Sequence, residues 1–202
     1  MSYKWSGSGS GLCQPPEDRL FVALEITDEA KASLGNLKSH FSGLKWTPAN
    51  NLHLTLRFIG LVPQPHIELV QQALRRVKSG SFQLMVTGLG LFHRRGGGIL
   101  WAGVRREPEL LKLKERVDEA LCSSAGLSLK AEQFLPHLTL SRLKNSITTG
   151  LKAQVQTKAS EPFGEISVTY FTLFRSLLRP SGAIHEPVDR YPLAPALTVA
   201  RP

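Results

Sequence analysis

Cysteine is nearly absent, with Cys13 and Cys122 the two thiols in 202 residues. Two thiols exclude a disulfide framework and a four-thiolate metal site. They fit a reducing compartment, so a cytoplasmic protein is expected. Long apolar runs are missing as well. No stretch approaches the roughly 20 residues that a membrane-spanning helix needs. Acidic residues are in short supply: Asp+Glu 16 against Lys+Arg 25 leaves a net charge of +9. An excess of that size favours polyanionic partners, nucleic acid above all. No H-E-x-x-H, C-x-x-C or D-x-D pattern offers a metal site, and the G-x-x-x-x-G-K-[ST] phosphate loop does not occur. What is present is ordinary globular composition, 42% hydrophobic and 20% charged. A chain of this length buries roughly 70% of its unfolded surface and needs no staples.

The first 18 residues stand apart. Gly and Ser alternate from Ser6 to Gly11, and Pro15-Pro16 follow. They are expected to form a flexible arm that holds Cys13 as an exposed thiol, and they lack the pattern of a signal peptide. One domain is expected over residues 19–202. Leu20 to Ile26 reads as a buried strand, and Thr27 or Asp28 as a helix cap. Ala30, Leu34, Leu37 and Phe41 then lie on one helical face that ends at Gly43. Further helices are expected over Pro65–Lys78 and Pro108–Ala125, with Cys122 packed on the latter. Strands are expected at about 45–48, 52–59, 82–88, 98–105, 128–132, 137–143, 166–175 and 184–190. The strands and helices lack a regular βαβ rhythm, so the fold class is α+β with mostly antiparallel sheet.

One tetrapeptide occurs twice, His53-Leu54-Thr55-Leu56 and His137-Leu138-Thr139-Leu140, 84 residues apart. Each copy follows a matching apolar strand and an amphipathic helix. The pattern is a duplicated strand–helix–strand–strand unit. Two such units packed about an approximate twofold axis form pseudo-symmetric lobes around a central cleft. Strand alternation places His53 with Thr55, and His137 with Thr139, on one face. The four leucines take the other face and bury against helices. Two imidazoles with pKa values near 6.5 suit paired general acid and general base work. Two threonine hydroxyls suit the non-bridging oxygens of a phosphate. The set holds no strong nucleophile and is a poor zinc site. It points to metal-independent attack by water or a substrate hydroxyl on a phosphodiester, with no cofactor.

At these motifs the sequence resembles the two-histidine (2H) phosphoesterase superfamily. It is most similar to the RNA 2′,3′-cyclic phosphodiesterases, once called 2′-5′ RNA ligases. The likeness runs from about Arg19 to Leu193. It is carried by Arg19-Leu20-Phe21-Val22-Ala23-Leu24-Glu25, Asn51 to Gly60, Leu100-Trp101-Ala102-Gly103-Val104, Pro136 to Arg142, and Phe174-Arg175-Ser176. The resemblance implies two α+β lobes around a V-shaped cleft. It implies hydrolysis of a terminal RNA 2′,3′-cyclic phosphate to a 2′-phosphomonoester, together with a reversible 2′-5′ RNA ligation. It makes His137 the proton acceptor and His53 the proton donor, with Thr55 and Thr139 holding the phosphate. Because the motifs are identical, the residues by themselves leave the two proton roles open. The expected partners are RNA ends or nucleotides bearing a 2′,3′-cyclic phosphate, with no membrane and a monomeric chain. The alternatives are a binding module of the same fold and a 2H enzyme acting on another small phosphodiester.

Arg57 shares strand parity with His53 and Thr55, so it is expected to reach the substrate. Arg142 is out of parity with His137, yet the resembled family keeps an arginine there, and it is expected to reach the phosphate if the strand ends or bulges near Ser141. Arg175 is a weaker candidate. His93 to Gly98 reads as a hairpin tip whose arginines could touch RNA backbone. Phe58, Phe92 and Trp46 are expected in the core rather than stacked on a base. His40, His66 and His185 are expected at surface or structural positions, and His185 stands where the resembled family often carries an aromatic.

Overall fold

Apolar alternation and helical periodicity resolve into one sheet with helices packed on its leucine-bearing face. The computed structural model describes residues 15–144, 146–180 and 182–195. The elements run β1 (Glu17–Glu25), α1 (Asp28–Asn36), β2 (His53–Pro63), α2 (Gln64–Arg75), β3 (Phe82–Arg94), β4 (Gly97–Val104) and α3 (Pro108–Ser124). They continue with β5 (His137–Leu143), α4 (Thr149–Gln156), β6 (Pro162–Val168), β7 (Tyr170–Arg179) and β8 (Gly182–Pro192). The fold is α+β. Its eight antiparallel strands are ordered β6-β3-β4-β5-β2-β1-β7-β8. Among the described residues no helix is long and apolar enough to cross a membrane.

The two repeats meet at the centre of the sheet. β1-α1-β2-α2 and β4-α3-β5-α4 have the same element order, so the repeat is strand–helix–strand–helix rather than the expected strand–helix–strand–strand. Residues 45–48 form only an isolated bridge, Trp46 to Ser141. Residues 128–132 form no strand, and the Lys130 carbonyl accepts instead from the Arg57 side chain. The expected strand 166–175 is two strands: β6 pairs with β3, the chain crosses at Thr169, and β7 pairs with β1. Continuous apolar alternation conceals that crossing. β1 starts at Glu17, so Glu17 and Asp18 belong to the sheet rather than to an arm. Residues 1–14, with Cys13, lie outside the described residues.

Local chemistry sets the helix ends. Thr27 Oγ1 accepts from the Ala30 N–H at 3.3 Å and caps α1. α1 stops at Asn36, and a 3₁₀ turn over Leu37–Ser39 keeps Leu37 and Phe41 buried. α4 is absent from the sequence expectation. It is capped by Thr148, whose Oγ1 accepts from the Leu151 N–H at 3.2 Å, and buries only Val155. α3 turns Leu110, Leu113, Val117 and Leu121 inward, all fully buried, whereas Cys122 is exposed rather than packed.

The helices tie the halves together. α1 follows β1 yet packs on β6 at the far end of the sheet, and α3 follows β4 yet packs on α2 and β2. Leu54 and Leu138, both with no exposed surface, sit in the main core beneath these helices. Burying each contributes about 2 kcal/mol relative to exposure. On the opposite face Phe21, Ala23 and Phe174 form a separate small cluster.

Candidate active site

The junction of the repeats places the motifs. β2 and β5 pair at Leu54↔Leu138. Side chains alternate across a sheet, so the two leucines share the core face and His53, Thr55, His137 and Thr139 share the other. Antiparallel register sets His53 across from Thr139 and Thr55 across from His137. Each imidazole thus neighbours the hydroxyl of the other repeat. All four polar side chains are half-buried, while Leu54, Leu56, Leu138 and Leu140 are buried.

At the last residue of each motif the strand bulges. Along β1–β2 the register passes from Val22↔Arg57 to Ala23↔Thr55, leaving Leu56 as the extra residue. Along β4–β5 it passes from Leu100↔Ser141 to Trp101↔Thr139, leaving Leu140 extra. One extra residue reverses the facing of everything beyond it. Arg57 and Ser141 therefore turn to the core side, and Phe58 and Arg142 return to the motif face.

This corrects the expectation for Arg57. Its side chain is 5% exposed. Nε donates to Asp118 at 2.6 Å, a second nitrogen donates to the same carboxylate, and a third donates to the Lys130 carbonyl at 3.1 Å. Glu132 lies 3.7 Å away. Arg57 clamps β2 to α3 and does not face the cleft. Ser141 takes the matching place in the second repeat and donates to the Lys45 carbonyl at 2.9 Å. Arg142 is exposed and close enough to depress the proton affinity of both His53 and His185. Arg175 pairs with Asp18 at 2.9 Å instead of facing a ligand.

The two imidazoles are held alike. Nδ1 of His53 lies 2.7 Å from the Asn51 carbonyl, and Nδ1 of His137 lies 2.7 Å from the Leu135 carbonyl. A carbonyl oxygen only accepts, so each Nδ1 carries the hydrogen and each Nε2 is left for chemistry. Burial drives the His53 pKa down from 6.5 to about 4, against the Asn51 carbonyl, which favours the charged ring. His185, Arg142 and His137 push it the same way as burial by adding positive charge. The His185 pKa is also lowered, by burial and then by Arg142.

Aromatic rings wall both histidines. Phe21 lies 4.9 Å from His53, and Phe92 lies edge-on 5.0 Å from His137, between ring centroids. Phe92 is thus a wall of the site rather than core. Phe58 is also not core: it is 57% exposed, 5.8 Å from Phe21. Trp46 packs against the core as expected. His185, expected at a surface or structural position, stands edge-on to His53 at 5.1 Å. Its sequence signals are its place in the final hairpin, where register sets it opposite Ser176, and its standing where the resembled family often carries an aromatic. Buried His185 Nδ1 and Trp101 Nε1 have no hydrogen-bond partner among the described residues. Such orphaned atoms cost about 1–3 kcal/mol each, and these two flank the motif imidazoles.

The family model described as LigT like Phosphoesterase matches residues 24–101 and 104–185, one motif in each span. An Archaeoglobus fulgidus protein named RNA 2′,3′-cyclic phosphodiesterase is 32% identical over 172 residues, covering 83% of this chain and 96% of that protein. A Thermotoga maritima protein of the same name is 32% identical over 175 residues, covering 83% and 91%. The crystal structure of E. coli LigT complexed with 3′-AMP matches with a TM-score of 0.72 and 25% identity, covering 89% of this chain and 99% of that one.

Proposed function

The chain belongs to the LigT-like phosphoesterase family, and from that membership and the paired imidazoles we propose that it hydrolyses RNA-terminal 2′,3′-cyclic phosphate to a 2′-phosphomonoester. The Leu54↔Leu138 pairing is the main support, because it sets two imidazoles and two hydroxyls on one face at the repeat junction. The name shared by the two relatives and the net charge of +9 favour an RNA end as substrate.

Water attacks phosphorus while His137 Nε2 takes its proton. The bond from phosphorus to the ribose 3′-oxygen breaks, and His53 Nε2 gives that oxygen a proton. The 2′-oxygen keeps the phosphoryl group. Thr55 and Thr139 donate hydroxyl hydrogen bonds to the non-bridging oxygens, and Arg142 balances their charge. His53 is neutral at pH 7 in the free cleft, since its pKa is about 4. The substrate's negative charge offsets the surrounding cations and lets His53 bind the proton it later delivers. A weakly basic ring, once charged, is a strong donor. The same steps with a 5′-hydroxyl in place of water join a cyclic-phosphate end to that hydroxyl through a 2′-5′ linkage, and running them backwards cleaves it. A second reading exchanges the two roles: the neutrality of His53 in the free cleft favours it as the base.

His53→Ala and His137→Ala test the site. Each lowers kcat/KM on a 2′,3′-cyclic nucleotide by roughly 10²–10⁴-fold while circular dichroism is unchanged. Full activity in either variant overturns the reading. Tight binding with no product in the wild-type protein favours a binding module instead.

A further inference from the structure

Beyond the imidazoles, the β3–β4 hairpin and the end of β5 border an open concavity of about 200 Å³ lined by Arg94, Arg95, Gly96, Gly97 and Arg142, with Gly98, Ile99 and Leu143. Register builds it. Arg94 pairs with Gly97 across the hairpin, Gly98 pairs with Leu143, and Ile99 pairs with Arg142. Gly96 turns the tip at φ 77°, a conformation that favours glycine. A Cβ on Gly97 would lie 2.1 Å from the Leu143 carbonyl oxygen, so glycine lets the tip lie against the strand end. The Leu140 bulge turns Arg142 toward the same place. Three arginines therefore border one small concavity. No carboxylate forms an ion pair with any of the three among the described residues.

Unpaired like charges repel, and the planar donor fork of a guanidinium matches two oxygens of a phosphate. The cavity also stands in line with the motif. Arg142 lies three residues beyond Thr139 on β5, roughly 10 Å at about 3.3 Å per residue. It is close enough to His53 and His185 to act on both rings. A phosphate here is next along the chain from one held at Thr139.

Resting on the proposed cyclic-phosphate chemistry, we propose that Arg94, Arg95 and Arg142 form a subsite for the phosphate on the 5′-oxygen of the terminal nucleoside. In RNA that phosphate is the last internal phosphodiester. The site then distinguishes an RNA end from a free cyclic mononucleotide. A 5′-phosphorylated mononucleotide presents the same group from a second source.

The test compares kcat/KM for a 2′,3′-cyclic mononucleotide, its 5′-phosphorylated form and a dinucleotide ending in a 2′,3′-cyclic phosphate. It uses the wild-type protein and an Arg94→Ala/Arg95→Ala double variant. Both arginines are exposed, so the double variant keeps the fold and the rate on the plain mononucleotide. The wild type favours the dinucleotide by about ten-fold, the lower end of one charge-assisted hydrogen bond, and the double variant loses that preference. An equal gain for the 5′-phosphorylated mononucleotide, also lost in the variant, supports a phosphate site open to both sources. A gain confined to the dinucleotide and lost in the variant assigns the site to the RNA chain. No preference in the wild type, or a preference that survives in the variant, overturns the subsite. If no substrate is hydrolysed, the chemical reading falls separately. The dissociation constant of a dinucleotide 2′-phosphate then decides the subsite: equal binding by both proteins overturns it, and weaker binding by the variant supports it.

Discussion

Acid should destabilise this protein partly through His53. In the unfolded chain the ring titrates near 6.5, and in the folded protein it is driven down to about 4, chiefly by burial. At about 1.4 kcal/mol per pH unit the difference is worth roughly 3 kcal/mol. Between those two values the unfolded chain binds the proton and the folded protein does not. Stability contributed by the neutral ring is therefore full above about 6.5, falls as the pH drops, and is lost near 4. The lowered His185 pKa acts in the same direction. Urea unfolding at pH 7 and pH 4 measures the effect. The wild type should lose roughly 3 kcal/mol more over that interval than His53→Gln, which has no titrating ring. Equal losses in the two proteins would refute the burial argument. The same ring separates the proton roles. A 2′-nucleotide product should raise its titration midpoint, and calorimetry in buffers of different ionisation enthalpy should record proton uptake. Binding without uptake at pH 7 would make His53 the base.

Two further outcomes follow from the placement of the remaining polar groups. Thr55→Val and Thr139→Val should each reduce kcat/KM by about 10²-fold, as expected for one lost donor to a developing oxyanion, with stability unchanged; wild-type rates in both would remove the hydroxyls from the chemistry. Asp118→Asn leaves the buried Arg57 guanidinium without its main anion, which should cost about 3 kcal/mol in urea unfolding and spare kcat/KM. A collapsed kcat/KM at wild-type stability would return Arg57 to the cleft.

The duplicated tetrapeptide showed the essentials in the sequence because alternation of period two needs only local order. Leu54, Leu56, Leu138 and Leu140 had to face one way and His53, Thr55, His137 and Thr139 the other. The arginines depended on something not local. Nothing in Leu56 or Leu140 announces that each lacks a partner in the neighbouring strand, and that one residue decides whether Arg57 or Phe58 faces the cleft. Parity therefore misplaced Arg57, while Arg142 reaches the motif face through the bulge that parity alone could not supply. His185 was hidden for a related reason: a single histidine in β8 meets His53 only because β7 and β1 lie between them in the sheet. α4 escaped notice because so short a helix carries little apolar periodicity, with Leu151 and Val155 its main signal.

In the proposed reaction water attacks a cyclic phosphodiester held at the repeat junction and the ribose 3′-oxygen departs. Phosphorus NMR of a 2′,3′-cyclic nucleotide turned over in ¹⁸O-labelled water tests it most directly. One product is expected, a 2′-phosphomonoester carrying a single ¹⁸O on phosphorus. A 3′-phosphomonoester, a mixture of the two, or unchanged cyclic substrate would contradict it.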